Sequence, residues 1–487
     1  MRPTVSSRAV LTRAAVVAAL LAATASPALP ASPAAAASAA GPFEPLPPRN
    51  PYAGPLGTAT MHGDTASSDA TPLAGPGAGS LTSRRVALAA ACPTVLAGAD
   101  GYPVALCTEI FGQAPTVHLL DPASGDSVAE LGLTKGSLLG GVYAYLDHAD
   151  RLVVVDGTRD LLRIGHRRTS SGGWELYVAS RLPLDAVVAE DDSVVGLSPD
   201  WQGRVWFATG GGVVGTADDT TGVVKSLALP AGEKVANSIS TVPEGTAVTT
   251  THATYLLRAD ATGTPSVVWR QVYDRGPGRK PGQLSWGSGS TPTFFGPHGT
   301  DYLTIVDNAA PTVNLLVYAS GTGQQICKVP VLKAGGSGSE NSPVAAGSTV
   351  FVASTYGYPY PVLPDDAGPS VPPSADFTGG LSRVNVTASG CTLAWDTVVR
   401  SAAVPRLSTA DGLLRTVVRK PVIPGTTSTT ILDTYVYTEI DPATGAIVRT
   451  KTLGTGFIYD TLQMVGTITP GVVYQGTTTG VVRIANG

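Results

Sequence analysis

The chain has 487 residues, only 14% of them charged, with 57 glycines, 39 prolines, four cysteines and a net charge of −4. Without Arg2, Arg8 and Arg13 the balance falls to about −7, and so mildly acidic a chain excludes a nucleic-acid partner, whose binding depends on basic patches. Sparse charge with abundant glycine and proline suits short strands joined by tight turns.

The chain opens with a targeting pattern. Arg2, Arg8 and Arg13 form a basic region, and residues 14–23 are an apolar run too short to cross a bilayer. Small-residue cleavage sites follow at Ala23-Thr24-Ala25 or in the alanine cluster of residues 37–40. Residues 1–40 are therefore expected to be a cleavable Sec-type signal peptide, making the protein secreted. No arginine pair marks a twin-arginine signal, no cysteine follows to carry a lipid, and no later stretch is apolar for long enough to span a membrane. Residues 41–80 are rich in Pro, Gly, Ala and Ser, and composition predicts a disordered linker there. His62 falls inside this linker and is set aside on that ground. Residues 81–487 remain as one domain, long enough for a closed β architecture or a repeat assembly.

The four cysteines suggest two disulfides in an exported protein. A turn over residues 97–101 folds the strand through Val95 back onto residues 102–107, which sets Cys92 opposite Cys107. By elimination Cys327 pairs with Cys391. Four buried free thiols are the competing reading.

One phrase recurs along the rest of the chain: an alternating apolar strand, a corner of the form Asp-x-x-Ser/Thr-Gly, and a second strand. It appears at 117–131, 213–228, 255–270, 315–331, 381–397 and 437–453, with a looser copy at 161–180 and a truncated one at the C-terminus. Asp121 or Asp441 accepts bonds from following amides, Pro122 or Pro442 presets φ, and Gly125 or Gly445 supplies a positive φ. The 40- to 70-residue spacing leaves room for four short strands per repeat. The expectation is an all-β protein, a β-propeller of eight four-stranded blades, with seven the alternative count. An N-terminal strand within residues 83–90 would complete the last blade and close the ring.

The copies at 255–270 and 437–453, with their frequent Trp, resemble the pyrroloquinoline-quinone-type repeat of quinoprotein-like propellers. The stretch YDRGPGRKPGQLSWGSGSTPTFFG (273–296), with IVDNA (305–309) and ENSPV (340–344), resembles an exported bacterial branch whose activity is unassigned. The resemblance implies the propeller fold. It would also imply pyrroloquinoline quinone and Ca²⁺, but the chain lacks the adjacent cysteines of the quinone alcohol dehydrogenases and has no Cys-x-x-Cys-His haem motif, so neither cofactor is required by the sequence.

In such a blade the Asp-x-x-Thr-Gly corner lies on one face of the disc, while the loop between strands two and three and the connection to the next blade lie on the other. The long irregular segments all fall on that second face, over blades four to seven. They bring Arg275, Lys280, Gln283, Trp286, Asp307, Asn308, Glu340, Asn341, Tyr356 and Tyr358 toward the channel mouth, a mixture suited to an anionic or carbohydrate-like ligand. The competing reading is that the same residues cap the channel and satisfy one another.

No serine-hydrolase elbow, zinc-protease motif, phosphate loop or dinucleotide fingerprint is present, and the six histidines are scattered singly. No metal site is expected. The reading is a monomeric binding or scaffold module for a small-molecule, glycan or protein ligand. The alternative is a propeller enzyme, a quinone-dependent oxidoreductase or a hydrolase or lyase that gathers His252, His298 and Glu340 at the channel mouth.

Overall fold

The recurrent corner builds the fold from the bottom up. In the copy at Asp441, the carboxylate accepts from the amide of Ala443 at 2.9 Å and from the hydroxyl of Thr444 at 2.8 Å, and the amide of Gly445 donates to the Asp441 carbonyl at 2.8 Å. Gly445 sits at φ 75°, where a Cβ is strained, and the chain reverses there into an outer strand, Ile447–Thr455. At the Asp121 corner the carboxylate accepts from the amides of Ala123 and Ser124, the Gly125 amide donates to the Asp121 carbonyl, and Gly125 sits at φ 80°.

The computed structural model describes residues 43–136 and 143–487; the expected signal peptide lies outside the described residues. These residues form eight sheets, at 90–132, 145–183, 194–228, 240–272, 293–330, 344–397, 406–455 and 467–486, the first seven each with four consecutive antiparallel strands and the eighth with three. The last sheet takes its outer strand from the N-terminal side, where Leu81–Ala87 runs antiparallel to Gly480–Asn486. The architecture is an eight-bladed β-propeller. Inner strands such as Val194–Pro199 are buried throughout, whereas outer strands such as Val223–Ala228 alternate between solvent and core. Period-two patterning was therefore strongest in the outer half of each repeat.

Neighbouring blades meet through apolar layers that include fully buried Tyr145, Trp206, Phe207, Tyr255, Phe294 and Phe351. Each large side chain withdrawn from water in this way contributes roughly 1.5–3 kcal/mol. Side chains also dock onto the corner of the next blade. Trp269 Nε1 donates to the Ser320 carbonyl at 2.7 Å, Trp395 Nε1 to Pro442 at 3.1 Å, and the Tyr474 hydroxyl to Pro122 at 2.8 Å, the last joining blade eight to blade one. The corner glycine also admits the indole: a Cβ on Gly323 would stand 2.6 Å from a Trp269 ring atom. Disulfides join Cys92 to Cys107 within blade one and Cys327 to Cys391 between the outer strands of blades five and six.

The expected disordered linker over residues 41–80 is corrected by the structure. Residues 58–71 are almost entirely buried, and the segment runs around the inside of the ring. The carbonyls of Thr58, Ala59, Thr65, Ala66, Ser68, Asp69 and Ala74 accept in turn from the amides of Ala97, Leu146, Thr241, Phe294, Ala345, Leu407 and Gly471, on blades one, two, four, five, six, seven and eight. On blade three, Asn50 Nδ2 donates to the Pro199 carbonyl at 2.8 Å. Ala70–Thr71 pairs parallel with the inner strand of blade seven. The composition argument asked whether the segment can bury its own large side chains. Here the ring buries it: inner strands leave one edge of backbone groups unpaired, and only small residues fit between them.

Candidate functional site

The long segments at 273–292, 307–313, 331–343, 354–380 and 421–433 are all connections between strands two and three or between consecutive blades. They pack on one another. The blade-six insertion reaches across to the blade-four side, where Asp366 pairs with Lys234, the Gly368 carbonyl accepts from Arg279 Nη2 at 2.9 Å, and the Val371 amide donates to the Arg279 carbonyl at 2.7 Å. At its start, Tyr358 is buried against Tyr360 and Phe377 and its hydroxyl donates to Asp460.

Most of the polar candidates are engaged in holding these loops. Lys280 Nζ donates to the carbonyls of Ala309 at 2.6 Å and Ser337 at 3.0 Å, and burial draws its pKa down to about 8. Gln283 accepts from the Lys280 amide at 2.8 Å and donates to the Gly287 and Ser339 carbonyls. Asn308 Nδ2 donates to the carbonyls of Arg275 at 2.7 Å and Gly278 at 2.9 Å. Asp307 accepts from the amides of Asn314 and Ala309 and from the Asn314 side chain, while burial raises its pKa. Asn341 Nδ2 donates to Gln463 Oε1 at 3.1 Å. Tyr356 is half-buried, and its amide donates to Ser354.

Glu340 is different. Its Oε1 accepts from Asn237 Nδ2 at 3.3 Å, and its buried Oε2 has no partner among the described residues. Burial pushes its pKa up to about 8, so the carboxyl is protonated at neutral pH. Tyr143 donates to Asn237 Oδ1 at 2.9 Å, so residues from three different blade connections meet around this acid.

Arg275 and Trp286 form the remaining group, at the rim over blades four and five. The guanidinium lies 4.3 Å from the indole centroid, Arg275 Nη1 is 2.8 Å from His252 Nε2, and Trp286 Nε1 donates to the Arg275 carbonyl at 3.0 Å. Trp286 is 42% exposed, and the other nine candidates are buried or half-buried. Burial, then the Arg275 charge, lowers the His252 pKa, so its imidazole is neutral at pH 7. Sequence reading took His252 singly and missed this partner.

A second buried cluster lies in the N-terminal segment. His62 Nδ1 is 3.1 Å from both oxygens of Asp69, whose carboxylate also accepts from Ser342, and the buried His62 Nε2 has no partner among the described residues. The only sequence signal was the presence of His62, Asp64 and Asp69 in a stretch otherwise almost free of charge.

No protein-family model matches the chain, and no curated protein sequence matches it. It is similar to solved structures that include the β-propeller domain of Cps50 (Swd1) from Myceliophteria thermophila, at 9% identity over 82% of this chain and 99% of that one, with a TM-score of 0.38. The WD40 domain of SCAP from fission yeast matches at 10% identity over 84% and 98% with a TM-score of 0.33, and a functionally unknown protein from Desulfotomaculum acetoxidans at 11% over 69% and 91% with a TM-score of 0.39. The chain is a β-propeller. Likenesses this distant carry no argument about the propeller's function, and the fold assignment stands on the sheet order itself.

Proposed function

We propose that this protein is an exported, non-catalytic propeller of the quinoprotein-like repeat style that binds a ligand on its long-loop face, with Arg275, Trp286 and His252 as the contact group. One observation supports this reading most: the polar candidates around the channel mouth are spent on loop carbonyls and amides, whereas the Trp286 ring is exposed, held by a stacked guanidinium and a main-chain hydrogen bond. A fixed aromatic face beside a cation suits a sugar ring bearing a carboxylate, or an acidic peptide with an aromatic residue. Two disulfides fit export to an oxidising compartment. Among the described residues no helix is long and apolar enough to cross a membrane.

The test is a glycan-array and peptide-array screen with purified protein, followed by titration calorimetry of any hit. Trp286→Ala is expected to weaken binding at least ten-fold with the unfolding temperature unchanged. Unaltered affinity in that variant would remove the proposed contact group. A stoichiometric quinone spectrum after equilibration with pyrroloquinoline quinone and Ca²⁺ would overturn the non-catalytic reading.

A further inference from the structure

The inner edge of the ring holds a segment of its own chain through hydrogen bonds from successive blades. Its eight blades are built entirely from residues 81–87 and 90–486, apart from the two-residue strand Ala70–Thr71 added to blade seven. The segment that lines the axis is thus bound by a ring whose sheets are complete without it. It is tied to that ring through residues 77–80, which are exposed.

Recognition is through the main chain, with a carbonyl of the segment accepting from an inner-strand amide on six of the eight blades and from the Gly471 turn amide on blade eight. Side chains are small where the segment is deepest: Ala59, Ala66, Ser68 and Ala70 are at most 1% exposed. Gly63 sits at φ 89°, and a Cβ there would stand 2.2 Å from Arg406 Nη1 and 2.8 Å from the Ala70 carbonyl. One carboxylate bonds directly to the ring: Asp69 accepts from Ser342 and lies against His62, while Asp64 is held within the segment by the hydroxyl and amide of Ser68. The fully buried Arg406 guanidinium donates to the carbonyls of Gly466 and Met61 and lies close enough to feel both acids.

The fit is incomplete. His62 Nε2 and Arg406 Nη1 are buried without partners among the described residues, burial pushes the Asp64 pKa up to about 6, and a polar cavity of about 20 Å³ borders His62, Asp64 and Tyr143. His62 on the segment and Arg406 on blade seven thus leave unsatisfied polar groups where the two meet, which weakens that contact. We propose that the axial channel is a binding site for an extended peptide of small side chains bearing two carboxylates, which the chain fills with its own residues 50–74 and which exchanges that segment for an equivalent peptide.

The experiment uses the full chain with a protease site inserted between Gly77 and Ser80, cut after folding. The cut segment is expected to co-elute with the ring on size exclusion, and a fluorescent synthetic peptide of residues 43–77 to replace it over time. A peptide carrying Gly63→Ala should bind at least ten-fold more weakly. In the uncut protein, hydrogen exchange should release the amides of Thr241, Phe294, Ala345 and Leu407 at least ten-fold faster than amides within strands two and three. Failure of the labelled peptide to enter, unfolding on cleavage, or exchange of all these amides only through global unfolding would each overturn the proposal.

Discussion

Replacing Glu340 with Gln tests the electrostatics of the channel mouth. The carboxyl is enclosed, accepts one long bond from Asn237, and has an unpartnered Oε2; burial pushes its pKa from the ordinary 4.5 up to about 8. The folded state therefore binds the proton more tightly than the unfolded chain. The resulting stabilisation is fully present below pH 4.5 and is lost as pH rises to about 8. At 1.36 kcal/mol per pKa unit, the shift corresponds to roughly 5 kcal/mol, a ceiling that any relaxation around the ionised group reduces. Gln keeps the acceptor for Asn237 and cannot ionise. Urea unfolding of both proteins from pH 4.5 to 8.5 should show the variant gaining on the parent by several kcal/mol across that window. Stability curves that run parallel would refute the claim that burial outweighs the Leu284, Asn237 and Arg279 contacts of Glu340.

Three further outcomes follow from the contacts. Arg419→Ala leaves Asp433 and Asp460, both buried, without their 2.8 and 3.1 Å ion-pair partner, and should cost about 3–5 kcal/mol in chemical denaturation. Trp269→Phe removes the indole bond to Ser320 and should cost about 1–3 kcal/mol, with Trp395→Phe costing less because that ring is only partly buried. Loss of the Cys327–Cys391 bridge, which closes a 64-residue loop, should destabilise by about 4 kcal/mol, against about 3 kcal/mol for the 15-residue Cys92–Cys107 loop, as read from thermal unfolding of the paired serine variants.

What the sequence made legible was local. The corners at Asp121 and Asp441 carry their own hydrogen-bond donors, acceptors and positive-φ glycines, so their spacing alone revealed blades. The Cys92–Cys107 pair followed from one hairpin. Residues 43–80 were misread because their burial comes from amides more than a hundred residues away, such as Thr241, Phe294 and Ala345, which no composition window detects. At the site the difficulty runs the other way. Lys280, Asp307 and Asn308 have the residue types of a binding surface, but long loops carry many unpaired backbone groups, and these side chains are consumed in satisfying them. Trp286 remains exposed because its nitrogen reaches the Arg275 carbonyl at the rim.

The occupied axis is the claim on which the rest depends, and a crystal structure of the protein tests it most directly. Continuous density for residues 50–74 along the inner strands, with the Thr65 carbonyl about 2.6 Å from the Thr241 amide, is the expected result. A water-filled channel bounded by eight bare inner edges, with the N-terminal segment outside the ring, would contradict the account.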